Sequence, residues 1–153
     1  MNYSQMRELD VSNGYGCGVS LFVSGCDFHC KGCFNPETWD YNAGKPWDGN
    51  AEDKLIKLLQ KPYIRRLSIL GGCPLNPRNL PTVRTIVERV RREFDDTKQI
   101  WIYTGYKYED LNDEQLSVVN QINYLVDGQY EEDKRDLTLA FRGSSNQRII
   151  EIN

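Results

Sequence analysis

Residues 19–33 of the chain read VSLFVSGCDFHCKGC, and this stretch decides the kind of fold that the sequence predicts. Its first five residues are mainly apolar and β-branched and end at Ser24-Gly25, which is the pattern of a short buried strand. Three cysteines follow, at positions 26, 30 and 33. The sequence therefore predicts a strand that ends in a thiol-rich loop.

Strand and helix patterns alternate after this stretch. Further strands are predicted at 66–70, 99–104 and 122–126, each followed closely by glycine. Between them lie three helix patterns: one that begins at Asn50 and is closed by Pro62, one at 80–94 with apolar spacings of three and four, and one at 112–119 with a capping box. This alternation predicts an α/β fold with a parallel sheet, in a single domain spanning 1–153. Two weaker extended runs follow, at 137–141 and 149–152.

Unusual residues stand at the ends of three predicted strands. They are Gly25-Cys26, Gly71-Gly72-Cys73 and Thr104-Gly105-Tyr106. Ligands of open α/β sheets bind beyond the carboxyl ends of the strands, so one pocket is expected to draw on all three segments.

The composition narrows the class of protein. The 153 residues are 39% hydrophobic and 27% charged with a net charge of -3, so no basic bias points to nucleic acid. No apolar run approaches the length of a membrane span, and residues 1–10 lack the apolar stretch of a secretory signal. We therefore expect a cytoplasmic protein whose five cysteines are reduced, which favours metal binding or catalysis over disulfides.

The cysteine triplet has three interpretations. Cys26, Cys30 and Cys33 could bind a [4Fe-4S] cluster and leave its fourth iron open to a substrate, since thiolates suit iron–sulfur clusters. With His29 they could instead form a zinc-stabilised interaction module, or they could be buried free thiols. The spacing favours the cluster, because neighbouring positions make it awkward for His29 and Cys30 to reach one ion.

Several other residues stay open at this stage. Cys73 is expected to fill space, with a fourth ligand or redox partner as alternatives, and Cys17 has no assigned role. The aromatic residues at 101, 103 and 106 are expected to belong to the core, and the alternative is that they line an adenine pocket. Asp127-Gly128 is equally consistent with a turn and with a contact to a ribose. The arginines at 142 and 148 either belong to a solvated tail or contact a partner or the carboxylate of a cofactor.

The cysteine spacing directly after a first strand resembles the radical S-adenosylmethionine superfamily. More narrowly, the chain resembles the activating proteins of anaerobic (class III) ribonucleotide reductases over almost its whole length. The segments that carry the resemblance are 10–14 (DVSNG), 21–26 (LFVSGC), 32–35 (GCFN), 71–75 (GGCPL), 101–106 (WIYTGY), 126–128 (VDG) and 141–147 (FRGSSNQ).

The resemblance implies a fold and a chemistry. The fold is an incomplete (β/α) barrel. The chemistry is an oxidoreductase activity in which a [4Fe-4S] cluster on Cys26, Cys30 and Cys33 cleaves S-adenosylmethionine reductively. The resulting 5′-deoxyadenosyl radical forms a glycyl radical on the large catalytic subunit of the reductase, and a low-potential electron donor is required. The family's cofactor contacts fall here on Gly32, Cys33, Phe34, Gly71 and Gly72.

Two departures from the superfamily pattern stand out. Gly32 occupies the position before the third cysteine where an aromatic residue is common, and Cys73 follows the glycine pair where an acidic residue is usual. Backbone carbonyls are therefore expected to receive the amino group of the cofactor. A radical S-adenosylmethionine enzyme acting on a small molecule is the alternative within the superfamily, but the short chain leaves little sequence to close a private pocket.

Overall fold

A seven-stranded mixed sheet with three α-helices packed on one face forms the protein, for which a computed structural model describes residues 1–153. The strand order is β3-β1-β2-β4-β5-β6-β7. The strands are β1 (Asn2–Asp10), β2 (Gly18–Val23), β3 (Lys45–Pro46), β4 (Arg66–Gly71), β5 (Gln99–Tyr103), β6 (Tyr124–Asp127) and β7 (Arg148–Glu151). The helices are α1 (Gly49–Leu59), α2 (Leu80–Phe94) and α3 (Asp113–Val119). No helix combines the length and the apolar character needed to cross a membrane.

The four central strands run parallel, as the alternation predicts. β2, β4, β5 and β6 pair in parallel, and each is joined to the next by a segment that carries one helix. The edges differ from the prediction of a wholly parallel sheet, because β1, β3 and β7 pair antiparallel. β1 carries the polar sequence NYSQMRELD, whose partly exposed residues lack the apolar run by which a buried strand is found.

The helices begin and end where local signals place them, with one shift. Asp48, not Asn50, caps α1: its carboxylate accepts the backbone N–H of Ala51 at 2.8 Å. The capping box of Asn112 and Gln115 is present at the start of α3. The helices cover one face of the sheet with a core of 24 buried residues that includes Leu21, Ile69, Ile102 and Leu125.

The opposite face of the sheet is buried under loops and mixes polar residues with aromatic and aliphatic ones such as Trp101 and Leu70. Arg66 is fully buried there, and its Nη1 donates to Ser68 Oγ at 2.8 Å. The loop 11–17 covers this part of the sheet, and Asn13 O accepts the Ser68 hydroxyl at 2.6 Å. The segment 128–147 covers the next part, with Phe141 packed edge-on against Trp101 at 5.4 Å between ring centroids. Two layers of different chemistry therefore flank the sheet.

The two weak strand predictions of the tail have opposite outcomes. The run 149–152 is confirmed, since β7 pairs with β6. The prediction for 137–141 is wrong: these residues form turns and bends, and Phe141 has a φ of 60° that no strand residue adopts. The segment turns because it crosses the sheet face instead of joining the sheet.

Candidate active site

The cysteine loop, residues 26–33, follows β2, and the backbone at the start of this loop is held in a fixed conformation. Gly25 has a φ of 106°, and any Cβ there would overlap the ring of Tyr41, so only glycine suits this turn. The backbone N–H groups of Gly25 and Cys26 donate to Thr38 O at 2.7 Å and Trp39 O at 3.1 Å. These bonds fix the direction in which the loop begins.

The three thiols of the cysteine loop line one cleft of about 330 Å³. All three side chains are partly buried. Burial raises the pKa of the Cys26 and Cys30 thiols, although backbone N–H groups act in the opposite direction. Cys33 Sγ accepts the N–H of Asn35 at 3.4 Å. One loop therefore delivers three thiols to one cleft, and their role as cluster ligands stays a prediction.

The glycine pair after β4 forms the neighbouring wall of the cleft. The Gly72 N–H donates to Val23 O at 2.8 Å, and the Cys73 N–H donates to Gly25 O at 2.9 Å. A Cβ on Gly71 would lie 2.8 Å from Val23 O, so the chain approaches the end of β2 more closely than a side chain permits. The pair predicted at the strand end thus exposes backbone to the same cleft as the thiols.

The other two cysteines are not equivalent. Cys73 is 1% exposed and belongs to the hydrophobic core, with its Sγ 3.3 Å from Thr104 Oγ1 at the base of the cleft. Burial raises the pKa of its thiol. The interpretation of Cys73 as a space-filling residue agrees with this packing. Cys17 lies at the opposite end of the sheet, where its carbonyl accepts the N–H of Arg65 at 2.8 Å, and it does not line the cleft.

The imidazole of His29 is engaged outside the cleft. It stacks on the indole of Trp39, with ring centroids 4.6 Å apart and planes 10° apart. No three His, Cys, Asp or Glu side chains are grouped closely enough to hold a single metal ion. A cubane is larger than one ion and holds its thiolates further apart, because irons and sulfides lie between them. The geometry therefore gives no support to a single zinc ion shared with His29.

The aromatic residues of β5 divide between core and site. Trp101 is fully buried and stacks on Tyr124 at 4.5 Å, as the core interpretation predicts. Tyr103 lines the cleft with a buried hydroxyl that has no hydrogen-bond partner. Tyr106 packs edge-on against Phe28 of the cysteine loop at 5.0 Å. Burial is the main cause that raises the pKa of Tyr103 and of Tyr106.

Asp127 and Arg148 have a structural contact with each other. The Arg148 Nε donates to Asp127 Oδ1 at 3.0 Å, and the Tyr108 N–H donates to Asp127 Oδ2 at 2.8 Å. Arg148 also binds Glu109 through two hydrogen bonds of 2.8 and 2.9 Å, which lower the pKa of that carboxyl to about 2. Asp127 therefore ties β6 to β7 and to residues 108–110, and only its neighbour Gly128 lines the cleft.

The segment 128–147 supplies a wall of the cleft that spacing did not predict. Gln129, Tyr130 and Phe141 line the cleft together with Arg142. Gln129 Oε1 lies 4.0 Å from Cys30 Sγ, 99 positions away in the sequence. In the sequence, the pointers from this segment to the site are Arg142, one interpretation of which is a contact to the cofactor carboxylate, and the resemblance over 141–147.

The cleft belongs to a chain with extensive similarity to known proteins. The family described as "4Fe-4S single cluster domain" matches residues 12–150. A protein of Escherichia coli (strain K12), named anaerobic ribonucleoside-triphosphate reductase-activating protein, is 46% identical over 151 residues, which are 97% of each chain. Proteins with the same name are 42% identical in Haemophilus influenzae, over 97% of each chain, and 40% identical in Enterobacteria phage T4, over 97% of this chain and 93% of the phage protein.

Proposed function

Because the chain belongs to the family of anaerobic ribonucleoside-triphosphate reductase-activating proteins, we propose that it activates such a reductase by radical chemistry on S-adenosylmethionine. The observation that carries this proposal is the meeting of three partly buried thiols and an exposed glycine-pair backbone in one cleft. When bound, a [4Fe-4S] cluster with an open iron supplies the electron that cleaves S-adenosylmethionine to methionine and the 5′-deoxyadenosyl radical, which makes a glycyl radical on the partner.

The residues of the cleft fit such a cluster and cofactor. Cys26, Cys30 and Cys33 provide three soft donors from one loop. Cys73 lines the base of the same cleft but is 1% exposed and packs in the hydrophobic core. Three buried polar groups of the lining, the hydroxyls of Tyr103 and Tyr130 and the Nε of Arg142, have no partner within the chain. A polar ligand in the cleft would satisfy them.

Each wall of the cleft has a separate task in this proposal. The cysteine loop would hold the cluster, with the backbone of Cys33 and Phe34 beside the cofactor. Gly32, which the resemblance gives the same role, lies outside the lining of the cleft and faces the Glu132 side chain. Gly71 and Gly72 present backbone groups to the amino group of the methionine moiety. Apolar residues of the lining exclude water from the reacting centre; they include Phe28, Leu70, Val126 and Phe141.

The open side of the cleft is the reason to propose a protein as the substrate. We propose that the four parallel strands and their helices form an incomplete (β/α) barrel whose mouth admits a glycine-bearing loop of the large reductase subunit. Phe34, directly after the cysteine loop, is 50% exposed at this cleft and offers apolar contact area. We place this reaction in a reducing cytoplasm with a low-potential electron donor, since all five cysteines are free thiols.

Anaerobic reconstitution followed by mixing with a class III reductase subunit tests the proposal. With dithionite and S-adenosylmethionine, we expect a glycyl electron-spin signal on the subunit, and no signal without S-adenosylmethionine. The Cys33→Ala variant is the matched negative control. Stoichiometric zinc without sulfide would refute the enzyme reading, and cofactor cleavage without a glycyl signal would favour a small-molecule substrate.

A further inference from the structure

Arg142 is the only formally charged side chain in the lining of the cleft. Its Nε is buried without a hydrogen-bond partner, and its Nη1 makes a single bond, to Ala140 O at 3.3 Å. No carboxylate lies within ion-pair distance of its guanidinium. A buried donor without an acceptor costs free energy, which an anionic ligand at Nε would offset. The cleft therefore contains a cationic donor that an anionic ligand could bind.

A second unpaired donor lies on the same wall. The hydroxyl of Tyr130 is buried without a partner. Its ring packs against Phe34 with centroids 4.9 Å apart, and a Cβ on Gly143 would lie 3.0 Å from it. The Tyr130 ring thus sits between the residue that follows Cys33 and the residue that follows Arg142.

Hydrogen bonds hold the turn that carries Arg142. Gln147 Oε1 accepts the N–H groups of Gly143 at 3.0 Å and Ser144 at 3.2 Å. The Gln147 amide also donates to Gly128 O at 3.1 Å, so the turn is tied to the end of β6. The backbone position of Arg142 is therefore fixed before a ligand binds, which reduces the ordering that binding requires.

We propose that Arg142 and Tyr130 bind the carboxylate of the methionine moiety of S-adenosylmethionine. This inference rests on the proposed function and assigns one part of the cofactor to one wall. The carboxylate is the only anionic group of the molecule, whereas the adenine and ribose are neutral and the sulfonium is a cation that a guanidinium repels. A carboxylate has two oxygens, so it can accept hydrogen bonds from both Arg142 and Tyr130.

The test compares S-adenosylmethionine with its decarboxylated analogue, which keeps the sulfonium and the nucleoside but lacks the carboxylate. Equilibrium binding is measured on the anaerobically reconstituted protein, with iron content as the measure of an intact cluster. We expect Arg142→Gln to weaken binding of S-adenosylmethionine by about 10- to 100-fold, the range for a charge-assisted hydrogen bond. Binding of the decarboxylated analogue is expected to stay unchanged.

Two variants complete the experiment. Tyr130→Phe removes one hydroxyl and is expected to weaken S-adenosylmethionine binding by about 3- to 10-fold, again without effect on the analogue. Arg92→Gln makes the same charge change on an exposed part of α2 and is expected to alter neither affinity. Should Arg142→Gln fail to load iron, Tyr130→Phe still tests the assignment.

The possible outcomes separate this assignment from the proposed function. Equal weakening of both ligands would overturn the assignment, because Arg142 would then act on the cluster or on the fold. Unchanged S-adenosylmethionine affinity in both variants would also overturn it, while the proposed function would stand. Failure of the wild-type, cluster-loaded protein to bind S-adenosylmethionine would refute the proposed function itself.

Discussion

Replacing Asp10 by Asn removes the charge that balances a fully buried arginine beneath the cleft. The Asp10 carboxylate is 2% exposed and lies 3.6 Å from Nη2 of Arg66, which is 0% exposed. It also accepts the N–H of Ser12 at 2.9 Å and the amide of Asn13 at 2.7 Å, two residues that line the cleft. Burial would raise the pKa of Asp10, but hydrogen bonds from Ser20, Ser12 and Asn13 and the charge of Arg66 outweigh it and lower the pKa. The native pair is therefore ionic.

The expected loss of stability follows from that pairing. Breaking a buried ion pair by neutralising one partner costs about 3–5 kcal/mol, since the other charge stays buried without compensation. For a domain of this size, about 1 kcal/mol shifts Tm by about 2–4 °C, so Asp10→Asn should lower Tm by about 6–20 °C. The double variant Asp10→Asn with Arg66→Met removes both charges and should recover more than half of that loss.

Thermal unfolding followed by far-ultraviolet circular dichroism under anaerobic conditions measures these shifts. Both single variants and the double variant complete a cycle. Glu8→Gln is the control, because its pair with Lys54 spans 3.8 Å between largely exposed side chains and should contribute less than about 1 kcal/mol. A shift below about 3 °C for Asp10→Asn, or strictly additive losses in the double variant, would refute the reasoning.

Three further predictions concern the cleft. Replacing any one cysteine of the cysteine loop by Ala should abolish cleavage of S-adenosylmethionine under dithionite and lower the iron content below about four atoms per chain. Cys17→Ala should change neither quantity. If a variant retained cleavage, its cysteine would not be a cluster ligand. Gly105→Ala brings a Cβ to 2.6 Å from the Phe28 ring and should destabilise the loop by about 1–3 kcal/mol with a drop in bound iron, whereas Gly49→Ala faces open space and should retain full iron content. Cys73→Asp should still bind S-adenosylmethionine, because backbone groups meet the cofactor there; complete loss of affinity in protein that retains its full iron content would contradict the placement of the glycine pair.

Some features of the site depend on residues close together in the sequence, and others depend on residues far apart. Spacing within the stretch 19–33 predicts a strand followed by three thiols, and the structure has that strand and a loop whose thiols share a cleft. The same holds for the glycine pair at the end of β4 and for the capping box of α3. These features depend on backbone conformation and on residues a few positions apart, which a sequence displays directly.

Features that depend on distant pairing were predicted less well. β1 is polar and partly exposed, and it becomes a strand because it pairs antiparallel with β2. The run 137–141 has the residue types of a strand, yet it turns across the sheet face because β6 and β7 on either side of segment 128–147 pair with each other.

The α/β alternation, the thiol loop and the glycine pair can all be predicted from the chain, because each depends on local periodicity and spacing. In contrast, the folded molecule is needed to see that Tyr130 and Arg142 lie in the same cleft as Cys33, and that Asp10 balances Arg66 beneath it. Those arrangements depend on strand pairing and on the burial of charge. Neither leaves a repeating pattern in the chain, since residues far apart in sequence meet only when the sheet has formed.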